Sequence, residues 1–273
     1  MLKDVAFGQY YPVESFVHKM DPRAKILYLI AYIVLIFIVK NFYGFAVCLA
    51  LLALTVVFAR VPIVKVLKSI RAILFIIIVT FLINLFLHRE EQDVVYFSWW
   101  IFTVTRGSVT FATFMALRLI TLVLGSSILT LTTTPVALTD GLESLLSPLK
   151  LVKFPVHELA LIMSIALRFI PTLMEETERI ISAQKARGAD FESGNIFSRV
   201  KALIPILIPL IISAFRRADE LGDAMEARCY TGSRVRTKYK KLKFSVNDVI
   251  ALFFVAAAFA GVILLNVYAG AVI

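Results

Sequence analysis

The stretch Phe42–Ala59, FYGFAVCLALLALTVVFA, contains no charged residue. About 20 apolar residues in a helix cross the roughly 30 Å hydrocarbon core of a bilayer. A helix also satisfies its own backbone hydrogen bonds, which lipid cannot do. The stretch therefore predicts a transmembrane helix.

Similar apolar runs lie on both sides of this stretch. Hydrophobic residues make up 60% of the 273-residue chain and charged residues 18%, and the mean hydropathy is +0.86. Soluble proteins have about 45 to 50% hydrophobic and about 25% charged residues. We predict an all-α membrane protein with about five transmembrane helices and three amphipathic helices in the cytoplasm or at the interface. The other four predicted spans are Ile26–Val39, Ala72–Leu87, Val109–Leu131 and Val249–Tyr268.

Two further apolar runs, Val156–Ile170 and Leu203–Phe215, are not counted as spans. The first contains three ionisable residues, and the second contains two prolines and is followed by two arginines. Apolar runs of 10 to 14 residues are more often buried or interfacial than spanning. A seven-span topology stays open as the alternative.

Basic residues indicate the orientation, because Lys and Arg accumulate in cytoplasmic loops. The loop before the third span is basic, and the loop after it is acidic. These loops contain Arg60, Lys65, Lys68 and Arg71, and Glu90, Glu91 and Asp93, respectively. We therefore expect a multi-pass cell-membrane protein with its N-terminus in the cytoplasm and its C-terminus outside. The net charge of +10 then favours anionic lipid as partner over nucleic acid.

Three regions follow from this topology: 1–134 with four spans, 135–245 in the cytoplasm, and 246–273 with the last span. Breaker residues predict three helices in the cytoplasmic region. Thr139 or Asp140 caps the first, which ends at Leu146. The second runs from Pro155 to Arg187, with a kink at Pro171. The third runs from Phe197 to Arg228, and Gly232 marks its end.

A short pattern ends both long cytoplasmic helices: Ala183-Gln-Lys-Ala-Arg187-Gly188 and, 41 residues later, Ala224-Met-Glu-Ala-Arg228-Cys229. Taken singly, each arginine is explained by the negative end of the helix dipole. The shared alanines keep one helix face shallow, so a partner carboxylate or carbonyl group can reach the guanidinium. The repeat therefore predicts two similar docking sites.

Catalytic chemistry is poorly supported by the sequence. There is no Gly-x-x-x-x-Gly-Lys-Ser/Thr phosphate loop, and His157-Glu158 lacks the second histidine of a zinc-protease helix. Cys48 and Cys229 are predicted in different layers, so no disulfide is expected. We predict that the chain is not an enzyme and that it has no catalytic residue, no cofactor and no metal site. We expect Arg118 to make a structural contact in its span, and Asn84 and Asn266 to form interhelical hydrogen bonds.

Taken together, these motifs resemble the transmembrane T component of energy-coupling factor (ECF) type ABC transporters, the EcfT/CbiQ family. The resemblance covers essentially the whole chain, and four places carry it. They are Gln9-Tyr10-Tyr11-Pro12 with Ser15 and His18, Asp21-Pro22-Arg23-Ala24-Lys25, Leu167-Arg168-Phe169-Ile170-Pro171, and the two alanine-arginine motifs.

The resemblance implies a non-catalytic subunit that links two ABC-type ATPases to a membrane-embedded, substrate-binding S component, for uptake of vitamins or transition-metal ions. By analogy, Ala186, Arg187 and Gly188 dock one ATPase, and Ala227, Arg228 and Cys229 dock the other. Glycine is usual where this chain has Cys229, and this difference suggests two non-identical ATPases. A stand-alone channel or secondary carrier, or a membrane enzyme, are the alternatives.

Overall fold

The computed structural model describes residues 10–87, 95–99, 102–152, 154–189, 191, 195–230 and 244–268. They form two compact units. The membrane unit comprises the described residues within Gln9–Val156 and Lys243–Ile273, and the helix-pair unit comprises those within His157–Leu242. The all-α prediction is confirmed, because long helices dominate the described part of the chain.

The membrane unit contains α1 to α5, a 3₁₀ helix, a short β-hairpin and α8. In chain order its elements are α1 Pro22–Ile38, α2 Phe42–Ala59, α3 Ile63–Leu87, β1 Val95–Trp99, β2 Phe102–Thr105, α4 Arg106–Thr132, α5 Pro135–Leu145, the 3₁₀ helix Ser147–Val152, and α8 Val246–Tyr268. The helix-pair unit contains α6 Val156–Ala186 and α7 Ile196–Ala227.

α1 and α2 form a tight helical hairpin. α1 ends at Ile38, and Asn41 caps α2 by accepting a hydrogen bond from the Gly44 amide at 2.8 Å. An Asn side chain at this position satisfies one of the free N–H groups of a helix start. The chain therefore reverses within three residues.

The core of the membrane unit lies between α1, α2, α4 and α8. Tyr32, Phe45, Phe114 and Val262 are almost fully buried in it. α1 and α4 approach closely at Gly125, where an added Cβ would stand 2.3 Å from Cε1 of Tyr32. α3 packs mainly against α4 and buries few of its side chains, so most of its apolar surface is left for lipid or a partner.

Five helices of the described chain are long and apolar enough to cross a membrane, but they are not the predicted five. α1 is too short for this set at 17 residues, and α6 belongs to it. Val156–Ile170, which was not counted as a span, belongs to a 31-residue helix whose length and composition would also allow a crossing. Its apolar window has a mean hydropathy of 1.5, against 1.9 to 2.7 for the other four.

Two local predictions also differ from the structure. α5 begins at Pro135 and is capped by Thr134, whose side chain accepts from the Ala137 amide, so the predicted caps Thr139 and Asp140 lie inside it. The hairpin of β1 and β2, with Trp99 paired to Phe102, was missed. Its aromatic and β-branched residues are typical of strands. Gly232 and the acidic residues Glu90, Glu91 and Asp93 lie outside the described residues.

α6 and α7 were predicted to within one residue at each end, and both stay helical through their prolines. Three contacts show that they run antiparallel. Gln184 near the end of α6 donates to the carbonyl of Pro205 near the start of α7. Farther back along α6, Glu176 pairs with Arg217 at 3.2 Å. Phe169, earlier still, shares a groove with later residues of α7, including Met225.

Candidate coupling site at two helix ends

The end of α6 forms a closed cap around Arg187. The Gly188 amide donates to the Lys185 carbonyl at 3.0 Å, and the Ala189 amide donates to the Gln184 carbonyl at 3.0 Å. Gly188 has a φ of 86°. This pair of bonds around a left-handed residue is a Schellman motif, which satisfies carbonyls that a helix end otherwise leaves free. Arg187 is therefore the last residue before the chain turns away.

The end of α7 repeats this arrangement 41 residues later. The Cys229 amide donates to the Glu226 carbonyl at 2.8 Å, and the Tyr230 amide donates to the Met225 carbonyl at 2.9 Å. Cys229 has a φ of 57°, so it occupies the left-handed position that Gly188 has on α6. The unusual cysteine thus keeps the backbone shape of the motif, although an L-residue is strained there by roughly 1 to 2 kcal/mol.

The two helix ends also match in exposure. On both, the two alanines, the arginine and the left-handed residue are exposed, and the next residue is half-buried. The exposed residues are Ala183, Ala186, Arg187 and Gly188 on α6, and Ala224, Ala227, Arg228 and Cys229 on α7. Each arginine therefore stands on a shallow surface that another protein can approach.

The antiparallel packing separates the two arginines. Measured from the Glu176–Arg217 ion pair, each arginine lies eleven residues farther along its own helix. At 1.5 Å per residue, this is about 16 Å along each axis, in opposite directions. Arg187 and Arg228 therefore lie toward opposite ends of the helix pair.

The Leu167–Pro171 motif lies in the helix-pair unit, where Phe169 lines a groove between α6 and α7. The groove has a volume of about 340 Å³, and Leu173 of α6 and Ala218, Leu221 and Met225 of α7 also line it. The motif thus contributes to the packing of the two helices that carry the arginines.

The motif around Tyr11 anchors the N-terminal segment in the membrane unit. The Tyr11 amide donates to the Leu131 carbonyl at 2.9 Å. Nε2 of His18 donates to the Tyr11 carbonyl at 2.9 Å, and its Nδ1 accepts from the Ser15 hydroxyl at 2.7 Å. Burial lowers the pKa of His18, and the neutral ring suits these two roles. Gln9, the first residue of this motif, lies outside the described residues.

The Asp-Pro-Arg-Ala-Lys motif joins the starts of α1 and α8. The fully buried Asp248 accepts from the Asp21 amide at 2.9 Å and from the Ser245 amide at 2.6 Å. Lys25 donates to the Thr132 carbonyl at 2.9 Å. The bond between Asp248 and Asp21 was not predicted, because no local sequence pattern reports a partner 227 residues away.

Polar residues within the spans have structural contacts. Arg118 donates to the Val39 carbonyl at 3.2 Å, as its structural interpretation predicts. Asn266 donates to the Ile38 carbonyl at 2.8 Å and so links α8 to α1. Asn84 instead donates to a carbonyl of its own helix, and no interhelical bond of its side chain is found among the described residues.

No group of three or more His, Cys, Asp or Glu side chains is placed to hold a metal ion within the described ranges. Cys48 is buried and Cys229 is exposed, and both are free thiols. The features that remain are long apolar helices and two arginine-bearing helix ends, which define a multi-pass membrane protein with an exposed helix pair.

Comparisons with known proteins agree with this class. The family described as CbiQ, cobalt transport protein, matches residues 13–239. The energy-coupling factor transporter transmembrane protein EcfT of Ruminiclostridium cellulolyticum is 49% identical over 250 residues, covering 92% of both chains. That of Clostridium kluyveri is 49% identical over 251 residues, 92% of this chain and 93% of its own. The EcfT protein of Bacillus subtilis is 45% identical over 261 residues, which cover 94% of this chain and 97% of its own.

The chain therefore belongs to the CbiQ/EcfT family of energy-coupling factor transporter transmembrane proteins. Membership makes it a membrane component of a transport complex, as the resemblance of its motifs implies.

Proposed function

We propose that this chain is the coupling subunit of an ECF-type ABC importer. In this function it transmits the ATP-driven motion of two ATPase subunits to a membrane-embedded S component, which binds a vitamin or another micronutrient. The chain itself is not an enzyme, and its partner ATPases hydrolyse the ATP. The observation that carries the proposal is the duplicated arginine cap at opposite ends of an antiparallel helix pair.

Each arginine cap suits a docking contact with one ATPase. Arg187 and Arg228 are exposed, and each follows an exposed alanine, Ala186 or Ala227. A guanidinium on such a surface can donate a pair of hydrogen bonds to a carboxylate or to carbonyl groups of a groove. The Schellman bonds fix the backbone on either side of the arginine, so the backbone loses little conformational freedom on docking.

The separation of the caps supports two ATPases rather than one. When ATP binding closes the ATPases, it draws the two helix ends together, and α6 and α7 change their angle about the Glu176–Arg217 contact. The exposed apolar faces of these helices then move beneath the S component and tilt it, so that substrate is released inward. Ile162 and Met163 of α6 and Leu207 and Ile211 of α7 belong to these faces.

This function needs both caps in the cytoplasm. The basic loop between α2 and α3 supports a cytoplasmic N-terminus. If α1 crosses the membrane together with α2, α3 and α4, these four crossings leave residues 135–245 in the cytoplasm, and α8 then takes the C-terminus outside. In this arrangement α6 lies at the interface, with its apolar face toward the membrane.

The test is co-purification and uptake with the two ATPases and an S component supplied by the same cell. Arg187→Glu and Arg228→Glu should each weaken ATPase retention by at least tenfold, because a carboxylate replaces the guanidinium that the partner binds. The double variant should fail to assemble and to support uptake.

Arg179→Glu on α6 and Arg216→Glu on α7 are matched controls, since both arginines are exposed but lie before the caps. They should assemble normally. Normal assembly and uptake by the double cap variant would contradict docking through the arginines. A chain that transports alone, without ATPases, would instead support a channel or secondary carrier.

A further inference from the structure

The membrane unit contains an apolar cavity that the coupling function does not use. Its volume is about 280 Å³, close to the roughly 300 Å³ lower limit of sites for small ligands. It lies at the end of the unit where α1 and α8 begin and α2 and α4 end. Its walls are mostly apolar and include Tyr28, Leu51, Leu54, Ile128 and Leu129; Lys25, whose ammonium group donates to the Thr132 carbonyl, also lines it. Phe58, Ile250 and Phe254 are 46%, 40% and 40% exposed, so the cavity opens toward the surface there.

A polar groove adjoins this cavity. Phe16 and Phe58 line both, and their rings are 5.7 Å apart. The groove, of about 560 Å³, also contains Lys19 and Arg60. Two basic residues therefore lie next to the mouth of an apolar cavity, with an aromatic pair between the two environments.

Positive charge exceeds negative charge in the groove. Glu14 is its acidic residue, and it pairs with Lys19 at 3.3 Å. These side chains are 91% and 65% exposed, and exposed pairs of this kind are weak. Arg60 is also exposed, so the groove favours an anionic group.

We propose that the cavity and groove together bind one anionic phospholipid, with an acyl chain in the cavity and the phosphate between Lys19 and Arg60. The long apolar helices of this unit put the site in contact with a bilayer. Moving an acyl chain from bilayer to cavity exchanges one apolar environment for another. The charged headgroup therefore sets the preference for this lipid, and the cavity fixes its position.

The test is native mass spectrometry of the full chain in detergent, titrated separately with phosphatidylglycerol and with phosphatidylcholine of the same chain length. The wild type should retain one phosphatidylglycerol more strongly than one phosphatidylcholine. Arg60→Gly should weaken the retention of phosphatidylglycerol about fivefold, the effect of one basic residue near an anionic headgroup. It should leave phosphatidylcholine unchanged.

Arg60→Gly is a clean variant because Arg60 ends α2 with a φ of 52°, which glycine adopts without strain. Lys68→Ala is its matched control, since Lys68 is exposed on α3 and lies outside the groove. It should bind phosphatidylglycerol like the wild type. An equal effect of the two variants would overturn the headgroup assignment.

Filling the cavity tests the position of the acyl chain. Leu129→Trp should abolish the retention of both lipids, and Leu54→Phe should weaken it, because both residues line the cavity. The second, smaller change supplies the result if the first does not fold. Unchanged retention of phosphatidylglycerol in the folded variants would refute the proposal and leave the ATPase-coupling function untouched.

Discussion

Exchanging the left-handed residues of the two caps should change the stability of the two helix ends in opposite directions. The variants are Gly188→Ala at the end of α6 and Cys229→Gly at the end of α7. The first places a Cβ at a φ of 86°, and the second removes one at 57°.

The magnitude follows from the backbone alone at Gly188, since an added Cβ there would meet nothing within 4 Å. A left-handed conformation costs an L-residue roughly 1 to 2 kcal/mol. The lower entropy of the unfolded chain returns about 0.4 to 1 kcal/mol when glycine is replaced. We therefore expect a net loss close to 1 kcal/mol for Gly188→Ala and a similar gain for Cys229→Gly.

Hydrogen exchange of two amides measures these changes. The Ala189 amide closes the cap of α6, and the Tyr230 amide closes the cap of α7. Because 1.4 kcal/mol is a factor of ten, about 1 kcal/mol is about fivefold in exchange rate. The Ala189 amide should exchange about fivefold faster in Gly188→Ala, and the Tyr230 amide about fivefold slower in Cys229→Gly.

Each variant serves as the control for the other, because the unaltered cap should keep its wild-type exchange rate. Equal exchange at both caps in all three proteins would refute the argument that backbone strain distinguishes them. If the caps also orient the arginines for docking, ATPase retention should fall in Gly188→Ala and be at least maintained in Cys229→Gly.

Two further predictions concern packing. Glu176→Arg and Arg217→Glu should each lower the melting temperature in detergent. The double variant, in which the two charges are exchanged, should recover most of this loss. A coupling energy near zero in the double-mutant cycle would show that the half-exposed ion pair contributes nothing to stability. Gly125→Ala should destabilise the membrane unit by about 1 to 3 kcal/mol, because its Cβ would overlap the Tyr32 ring. Tyr32→Leu should relieve the overlap, and equal melting temperatures of Gly125→Ala and the wild type would contradict it.

The sequence predicts the ends of a helix well where the apolar run and the helical backbone end at the same residue. Phe42–Ala59 was predicted without error because Asn41 precedes it and Arg60 follows it. α3 begins nine residues before its predicted span, because its first turns contain Lys65 and Lys68. Hydropathy reports where lipid can surround a helix, and a helix can continue beyond that limit.

The arginine caps were predicted from the sequence as two similar helix ends, and their shared backbone motif is found at both. Their role in docking ATPases stays a prediction. The partners in the contacts that hold the membrane unit together were not predicted. Asp248 and Asp21, and Arg118 and Val39, meet only through tertiary packing, and a single sequence carries no periodic pattern for such pairs.

The Glu176–Arg217 contact shows why the two copies of the 41-residue repeat cannot be identical in sequence. The 41-residue offset that aligns the two caps also aligns these two residues, so the ion pair joins equivalent positions of the two copies. Such self-contact is the property of a residue on the two-fold axis of an isologous dimer. Identical copies would place two carboxylates or two guanidiniums together here. A duplicated helix with a charge on this axis must therefore diverge, and the two halves become as distinct as the subunits of a heterodimer.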